Sequence, residues 1–289
     1  MENKVYHLQA LTSLHVGNGE AGGVIDMPIA REKASNLPMI PGSGIKGVLR
    51  YELEGVTHHS ALFGPNTDAA HEHAGALAVG DARLLVLPIR SYKGTFAWAT
   101  CPMILQRYLR DLEHADRRVN LEVPELKSVD IALTTETCCL GHEQKIYLDD
   151  LDLKEQSSSH ISQWAEQLAS EVFAEDATWR ELFLSRFIVL HNDSFGFLAE
   201  TATEIRARIK IKENTRSVEK GGLWYEEYLP AETLLWGVIA TDRSRVRQDT
   251  TDAAQLMKHI PLNLRLQIGG NASVGCGQVK WQLTQAVNG

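Results

Sequence analysis

Asp26 is a lone carboxylate in an extended, proline-interrupted segment, and the basic pair Arg31 and Lys33 follows it closely. Both belong to one stretch, Val24 to Arg50, whose second half is a glycine turn, Gly42-Ser43-Gly44, leading into a helix from Ile45 onward. Such a turn lets backbone amides converge on one point, and a helix N-terminus adds partial positive charge there. Lys46 and Arg50 are four apart, so on a helix they share a face just inside that anion site. The spacing predicts a phosphate cradle with an acidic loop beside it.

Two common phosphate motifs fail on context. Gly42 to Gly47 fits G-x-G-x-x-G, but Pro38 and Pro41 break any strand leading in, and no second strand with a terminal acid follows near Val56 to Ser60. No Gly-Lys-Ser/Thr stands at Walker spacing. His58, His59, His71 and His73 cluster within sixteen residues, yet their spacing matches no closed tetrahedral zinc set and their surroundings read as an exposed loop. His15 is different. It sits where a predicted first strand, Val5 to Val16, runs into a Gly17-Asn18-Gly19 turn, near Asp26 in sequence, although the ordinary reading of a lone histidine is surface or core filler.

The 289 residues, 44% hydrophobic and 23% charged, have ordinary globular composition. A formal net charge of −8 runs against the usual signature of a nucleic-acid binder, but the charge is uneven. Acids gather at Asp149–Glu155 and Glu166–Glu181, bases at Arg206, Arg208, Lys210, Lys212, Arg216 and Lys220. A local basic strip can bind phosphate inside an acidic whole. The four cysteines show no C-x-x-C spacing, which fits reduced thiols, and no apolar run approaches membrane-spanning length. A soluble, cytoplasmic protein is expected.

The elements that must position these residues follow from periodicity. Ala76 to Tyr92 and Thr95 to Thr100 read as neighbouring strands; Pro102 opens a helix with Ile104, Leu105, Tyr108 and Leu112 on one face. Asn120 to Asp149 is mixed, Ser157–Ser159 caps a helix through Phe173, and Phe187 to Leu190 is a short strand. Thr201 to Lys212 alternates, with Ile205, Ala207, Ile209 and Ile211 on one face and Arg206, Arg208, Lys210 and Lys212 on the other. With L-W-Y-E-E-Y-L returning, this predicts a projecting β-hairpin with a basic face, an insertion spanning about 192–232. Leu234 to Thr241 is a strand, Thr250 to His259 a helix, and Leu264 to Leu283 a last hairpin whose Gly269–Gly277 loop, with Gly270 and Asn271, permits close backbone approach. The element order predicts one α+β domain over 1–289: a ferredoxin-like, RRM-like palm with an antiparallel sheet, a long insertion loop and a hairpin thumb.

These stretches together resemble the RAMP superfamily, and within it the backbone subunit (the fourth subunit of the Cmr module) of type III-B CRISPR effector complexes. The carriers are L-T-S-L-H-V-G-N-G, I-D-M-P-I-A-R-E-K with L-P-M-I-P-G-S-G-I-K-G-V-L-R, L-F-G-P, G-D-A-R-L-L, L-W-Y-E-E-Y-L-P and I-G-G-N-A-S-V-G-C-G, in family order along nearly the whole chain. Cys276 departs from the basic or larger polar residue of relatives, so no RNA contact is assigned to it. The resemblance implies copies stacked head-to-tail along CRISPR guide RNA beside other Cmr subunits. It also implies a thumb wedged into the guide–target duplex and metal-dependent endonucleolytic cutting of single-stranded target RNA at regular intervals. On family motifs the catalytic aspartate falls on Asp26, which would also hold a divalent metal such as Mg²⁺. Accessory positions fall on His15, Glu227 and Tyr228. Arg31, Lys33, Ser43, Lys46, Arg50, Arg206, Arg208, Gly270 and Asn271 become the expected RNA contacts. The competing readings are a scaffold that coats guide RNA without cutting, and a nuclease that matures the guide itself.

Overall fold

The computed structural model describes residues 1–17, 19 and 25–284; the expected turn through Asn18 and the start of the loop stretch at Val24 lie outside them. The N-terminal half runs β1 (Glu2–Ala10), β2 (Met39–Ile40), α1 (Gly42–Glu52), α2 (His59–Phe63), β3 (Leu77–Val79), β4 (Ala82–Arg90), β5 (Phe96–Thr100), α3 (Pro102–His114) and β6 (Ile131–Thr134). There follow β7 (Lys145–Leu148), β8 (Leu151–Ser157), α4 (Ser159–Val172), α5 (Ala177–Leu184), β9 (Phe187–Leu190) and α6 (Asn192–Thr201). Last come β10 (Glu204–Ile211), β11 (Val218–Tyr228), β12 (Leu234–Thr241), α7 (Ala253–Met257), β13 (Asn263–Gln267) and β14 (Gln278–Leu283).

One 12-stranded sheet, ordered β13-β14-β1-β12-β4-β5-β9-β6-β8-β7 with β2 on β4 and β3 on β12, forms the body; β10 and β11 stand apart as a two-stranded ribbon. The architecture is α+β, as expected. The sheet is mostly antiparallel but not wholly so: β5 pairs β9 and β6 pairs β8 in parallel. Neither parallel partner follows directly in sequence, which is why reading neighbours along the chain missed these pairings.

β1 lies between β14 and β12 and is buried from Val5 to Ala10, so side chains on both its faces pack. On one side Tyr6 stacks on Trp281 at 4.5 Å between ring centres and donates its hydroxyl to the Gly80 carbonyl. On the other, His7 meets the Tyr108 hydroxyl at 2.9 Å, and Tyr108 packs edge-on against Trp236. A second aromatic group, Trp98, Phe173, Phe183 and Phe187, fills the space under α4 and α5. Fully burying side chains of this size contributes roughly 1.5–3 kcal/mol each, which makes these groups the anchors of the sheet. Pro88 is tolerated inside β4 because β12 pairing reaches only Val86 at that end.

Several boundaries moved. β1 stops at Ala10 rather than Val16, and Leu14 returns only as an isolated bridge to Leu229. Gly42-Ser43-Gly44 is the first turn of α1 itself, behind Pro41. Gly42 is needed for space and not for a turn: a Cβ there would come within 2.2 Å of the Val79 carbonyl oxygen. The segment 192–232 divides into α6, which packs on the body, and the 204–228 hairpin. Phe195, Leu198 and Ala199 put the helical part in the core.

Candidate functional site at the base of the hairpin

Pairing fixes the hairpin's two faces. Ile205 lies opposite Glu227, Ala207 opposite Tyr225, Ile209 opposite Leu223 and Ile211 opposite Val218. All but Ala207 and Glu227 in these pairs are large apolar side chains, each at least 42% exposed. The other face carries Glu204, Arg206 and Arg208 against Tyr228, Glu226 and Trp224. The predicted alternation is therefore real, with a solvent-facing apolar row on one side.

The long edge of β11 gathers the two residues best suited to chemistry. The Tyr225 amide donates to Asp26 Oδ2 at 2.8 Å, and the Tyr225 carbonyl accepts from the Met27 amide at 3.0 Å. Glu227 donates its amide to the Met27 carbonyl, and its own carbonyl accepts from His15 Nδ1 at 2.7 Å. Two residues farther on, Leu229 and Leu14 exchange a pair of bonds. Segments far apart in sequence thus zip one strand edge, with Asp26 and His15 anchored two residues apart, a rise of about 7 Å. A carbonyl can only accept, so Nδ1 carries the proton and Nε2 is left to take or give one. Asp26 is exposed. The close backbone approach expected of the glycine loop is made to His15: the Gly270 amide donates to its carbonyl at 2.9 Å, and at Gly269 (φ +85°) a Cβ would come within 2.3 Å of that oxygen.

Two adjacent glutamates clamp the strand from opposite faces. Glu227, 3% exposed, pairs with Arg31 at 2.6 Å and accepts from the Ile29 amide (3.0 Å) and the Thr203 hydroxyl (2.9 Å). Arg31 also donates to the Asn36 and Ala199 carbonyls. This pair locks the loop to the hairpin base, so the geometry gives Glu227 and Arg31 a structural task. Glu226, 4% exposed, accepts from Trp224 Nε1 and Asn271 Nδ2, each at 2.8 Å, and from the Tyr228 hydroxyl. Asn271 also reaches that hydroxyl at 2.8 Å. Burial and the neighbouring carboxylate push the Tyr228 phenol up to about 12, so it stays protonated. Burial would raise the Glu226 carboxyl, but the bonds from Tyr228, Trp224 and Asn271 and the charge of Arg208 outweigh it and hold it below the usual range. The Tyr228 ring lies 5.3 Å from that of His15, with the Arg206 guanidinium stacked on it at 4.5 Å. Arg206 further holds Ser13 at 2.6 Å and approaches the buried Cys276 sulfur at 3.6 Å, which makes Cys276 a packing residue.

His15, Asp26, Arg31, Arg206, Arg208, Glu227, Tyr228, Gly270 and Asn271 therefore converge. Ser43, Lys46 and Arg50 lie apart on α1, which packs on β3 and β13, and Lys33 is exposed in a separate turn. The expected cradle at the α1 N-terminus is partly filled from within, since the Gly42 amide donates to Asp81 Oδ1 at 2.8 Å. Lys46 donates to the Leu77 carbonyl, and Arg50 to those of Phe63 and Pro65. Neutral acceptors leave both charges uncancelled. Glu226, Trp224, Ser13 and Thr203 were not foreseen. The W-Y-E-E-Y string carries two glutamates, and only the strand's alternation, once its register is known, tells their faces apart.

Among the described residues no three of His, Cys, Asp and Glu gather into a metal-binding group. One exposed carboxylate, Asp26, suits a hydrated divalent ion shared with an RNA phosphate, the mode Mg²⁺ favours, rather than an all-protein cage. His59 is held by the Arg50 carbonyl and His73 by Ser60, while His58 lies 3.7 Å from Asp249. No helix of the described residues is long and apolar enough to cross a membrane.

An α+β palm with a projecting ribbon and a carboxylate–imidazole pair at its base defines a class: by a family match over residues 7–280, the chain belongs to the RAMP superfamily. Within it, the chain is 37% identical over 288 residues to the CRISPR system Cmr endoribonuclease Cmr4 of Pyrococcus furiosus, covering 97% of this chain and 95% of that one. It is 23% identical to the CRISPR system CMR subunit Cmr4 of Saccharolobus solfataricus, with 96% of each covered. The crystal structure of oligomeric Cmr4 from Pyrococcus furiosus superposes at a TM-score of 0.76 over the whole of both chains, with 29% identity. The same fold recurs at a TM-score of 0.73 and 19% identity in a type III-B Cmr-beta complex bound to cognate target RNA, covering 98% of this chain and 97% of that one.

Proposed function

We propose that this chain is the backbone subunit of a type III-B CRISPR effector, assembling in copies along guide RNA beside other Cmr subunits in the cytoplasm and cutting complementary target RNA endonucleolytically at regular intervals. The carrying observation is that Asp26 and His15 are presented two residues apart on the edge of β11, at the foot of a ribbon with an exposed apolar row. The Pyrococcus furiosus relative's designation as an endoribonuclease supports the reading. RNA carries its own nucleophile, so the protein must mainly align it and manage protons. The ribbon's apolar side chains part the duplex, turning one ribose 2′-OH in line with its 3′ phosphate. The 2′-oxygen attacks phosphorus and the bond to the 5′-oxygen breaks, leaving a 2′,3′-cyclic phosphate and a 5′-hydroxyl. Asp26 or neutral His15 Nε2 takes the 2′ proton, and a protonated His15 returns one to the leaving oxygen. Asp26 would hold the divalent ion, which when bound supplies charge neutralisation at the phosphate. Arg206, Arg208, Lys33, Ser43, Lys46, Arg50 and the Gly270–Asn271 backbone grip phosphates without reading bases.

The test is Asp26→Asn in complexes built on guide RNA. Cleavage should fall by roughly a hundredfold or more, with guide binding unchanged. Chelating divalent ions should stop cutting and adding Mg²⁺ restore it. Full cutting by the variant removes Asp26 from catalysis. A wild-type complex that binds but never cuts would make the chain a scaffold, and metal-free cutting of guide precursors would make it a processing nuclease.

A further inference from the structure

We infer that Glu226 is a positioning residue that ties the orientation of the hairpin to that of His15; this rests on the cleavage reading above. Its carboxylate is almost wholly buried, yet it holds three donors from two separate parts of the chain. Trp224 and Tyr228 belong to β11, and Asn271 to the glycine loop between β13 and β14. Both parts lead on to His15. The Tyr228 ring lies against the imidazole, and Gly270, next to Asn271, binds the His15 carbonyl. Asn271 holds a left-handed φ of 64°, a conformation that a side-chain bond to Glu226 helps to fix. The imidazole thus has its Nδ1 pinned by the Glu227 carbonyl, one flank set by Tyr228 and its backbone set by the loop. Glu226 joins the last two, accepting from both Tyr228 and Asn271, which also meet each other at 2.8 Å. A tilt of the ribbon moves Trp224 and Tyr228, and through the shared carboxylate it moves the loop and the imidazole with them. Hairpin angle and Nε2 position then change together, as a cut beside a wedge requires. Glu227, on the opposite face, bonds Arg31, Ile29 and Thr203 and has no such connection to the glycine loop.

The experiment pairs single-turnover target cleavage with ¹⁵N NMR of the His15 ring, using Glu226→Gln and Tyr228→Phe in the full chain. Glutamine keeps the size but cannot accept from three donors at once; phenylalanine removes only the hydroxyl. Both variants should lower the cleavage rate about ten- to a hundredfold, the cost of a misplacement near 1 Å, with target half-saturation and guide binding unchanged. Both should also shift the His15 ring resonances and the pH midpoint of cleavage, whereas Asp26→Asn lowers the rate and leaves those resonances in place. Wild-type cleavage by both variants, or slow cleavage with unmoved His15 resonances, overturns the inference. If Glu226→Gln fails to fold, Tyr228→Phe decides by the same readings. If the wild-type complex does not cut at all, the cleavage reading falls separately, and the resonances still decide whether Glu226 positions His15.

Discussion

At the scale of the residue, two neighbouring glutamates show how little residue type says about role. Glu227 matches an accessory catalytic position of the family, but its oxygens are committed to Arg31, Ile29 and Thr203. Removing it leaves a largely buried guanidinium without its counter-charge, so Glu227→Ala should destabilise the chain by about 3–5 kcal/mol. Chemical denaturation checks this, and a loss below about 1 kcal/mol, the value of an ordinary surface pair, would return Glu227 to the catalytic list. Glu226 makes a prediction about pH. Its folded carboxyl titrates below the usual range, so it contributes stability that is fully present above the unfolded carboxylate value and is lost as pH falls through the folded one. A ¹³C carboxyl titration should find Glu226 ionised where exposed glutamates are already half protonated. An upward-shifted midpoint would mean burial outweighs its bonds. Asp26, by contrast, stood out in the sequence only as an isolated loop carboxylate; its catalytic assignment came from the family motif, and its bond from the Tyr225 amide was not foreseen.

At the scale of the element, the hairpin was the most readable part of the chain, because alternation over eight residues leaves few other structures open. β12 and β9 were read to the residue for a related reason: both are continuous apolar runs bounded by turn residues. β8 was missed because L-D-L-K-E-Q-S exposes most of its length, and α6 because Gly196 and a start without a strong cap weaken its helical pattern. The glycine turn misled in a different way. G-S-G reads as a bend, and only the close passage of Val79–Gly80 over Gly42 explains a glycine in a helix's first turn. For the hairpin itself, Ile209→Ser with Leu223→Ser should leave thermal stability of the palm within about 0.5 kcal/mol, since exposed positions contribute little. Target cutting at regular spacing should nonetheless be lost, read as a ladder on a sequencing gel. An unchanged ladder would mean that this face does not part the duplex.

At the scale of the whole molecule, a net charge of −8 has to be reconciled with a proposed life on RNA. Copies of an acidic protein repel one another at long range, which works against assembly through the ribbon's apolar row. Guide RNA changes that balance. In the proposed assembly the bases on β10 would engage phosphates locally, and the RNA charge would draw successive copies to neighbouring sites while the ribbon's apolar face finds cover. Assembly should therefore be templated. Mixed with guide RNAs of increasing length, the chain should form complexes whose mass, measured by light scattering, rises in whole-subunit steps. Raising salt should shorten the array, because each phosphate neutralised by a cationic side chain adds about 0.7 to the slope of log affinity against log salt on a single strand. Lys46→Glu with Arg50→Glu should flatten that slope if α1 takes part in the grip. A steepness unchanged by these substitutions would confine α1's cations to the carbonyls of Leu77, Phe63 and Pro65. Complexes of one fixed size at every RNA length would remove the template, and with it the regular spacing of cuts.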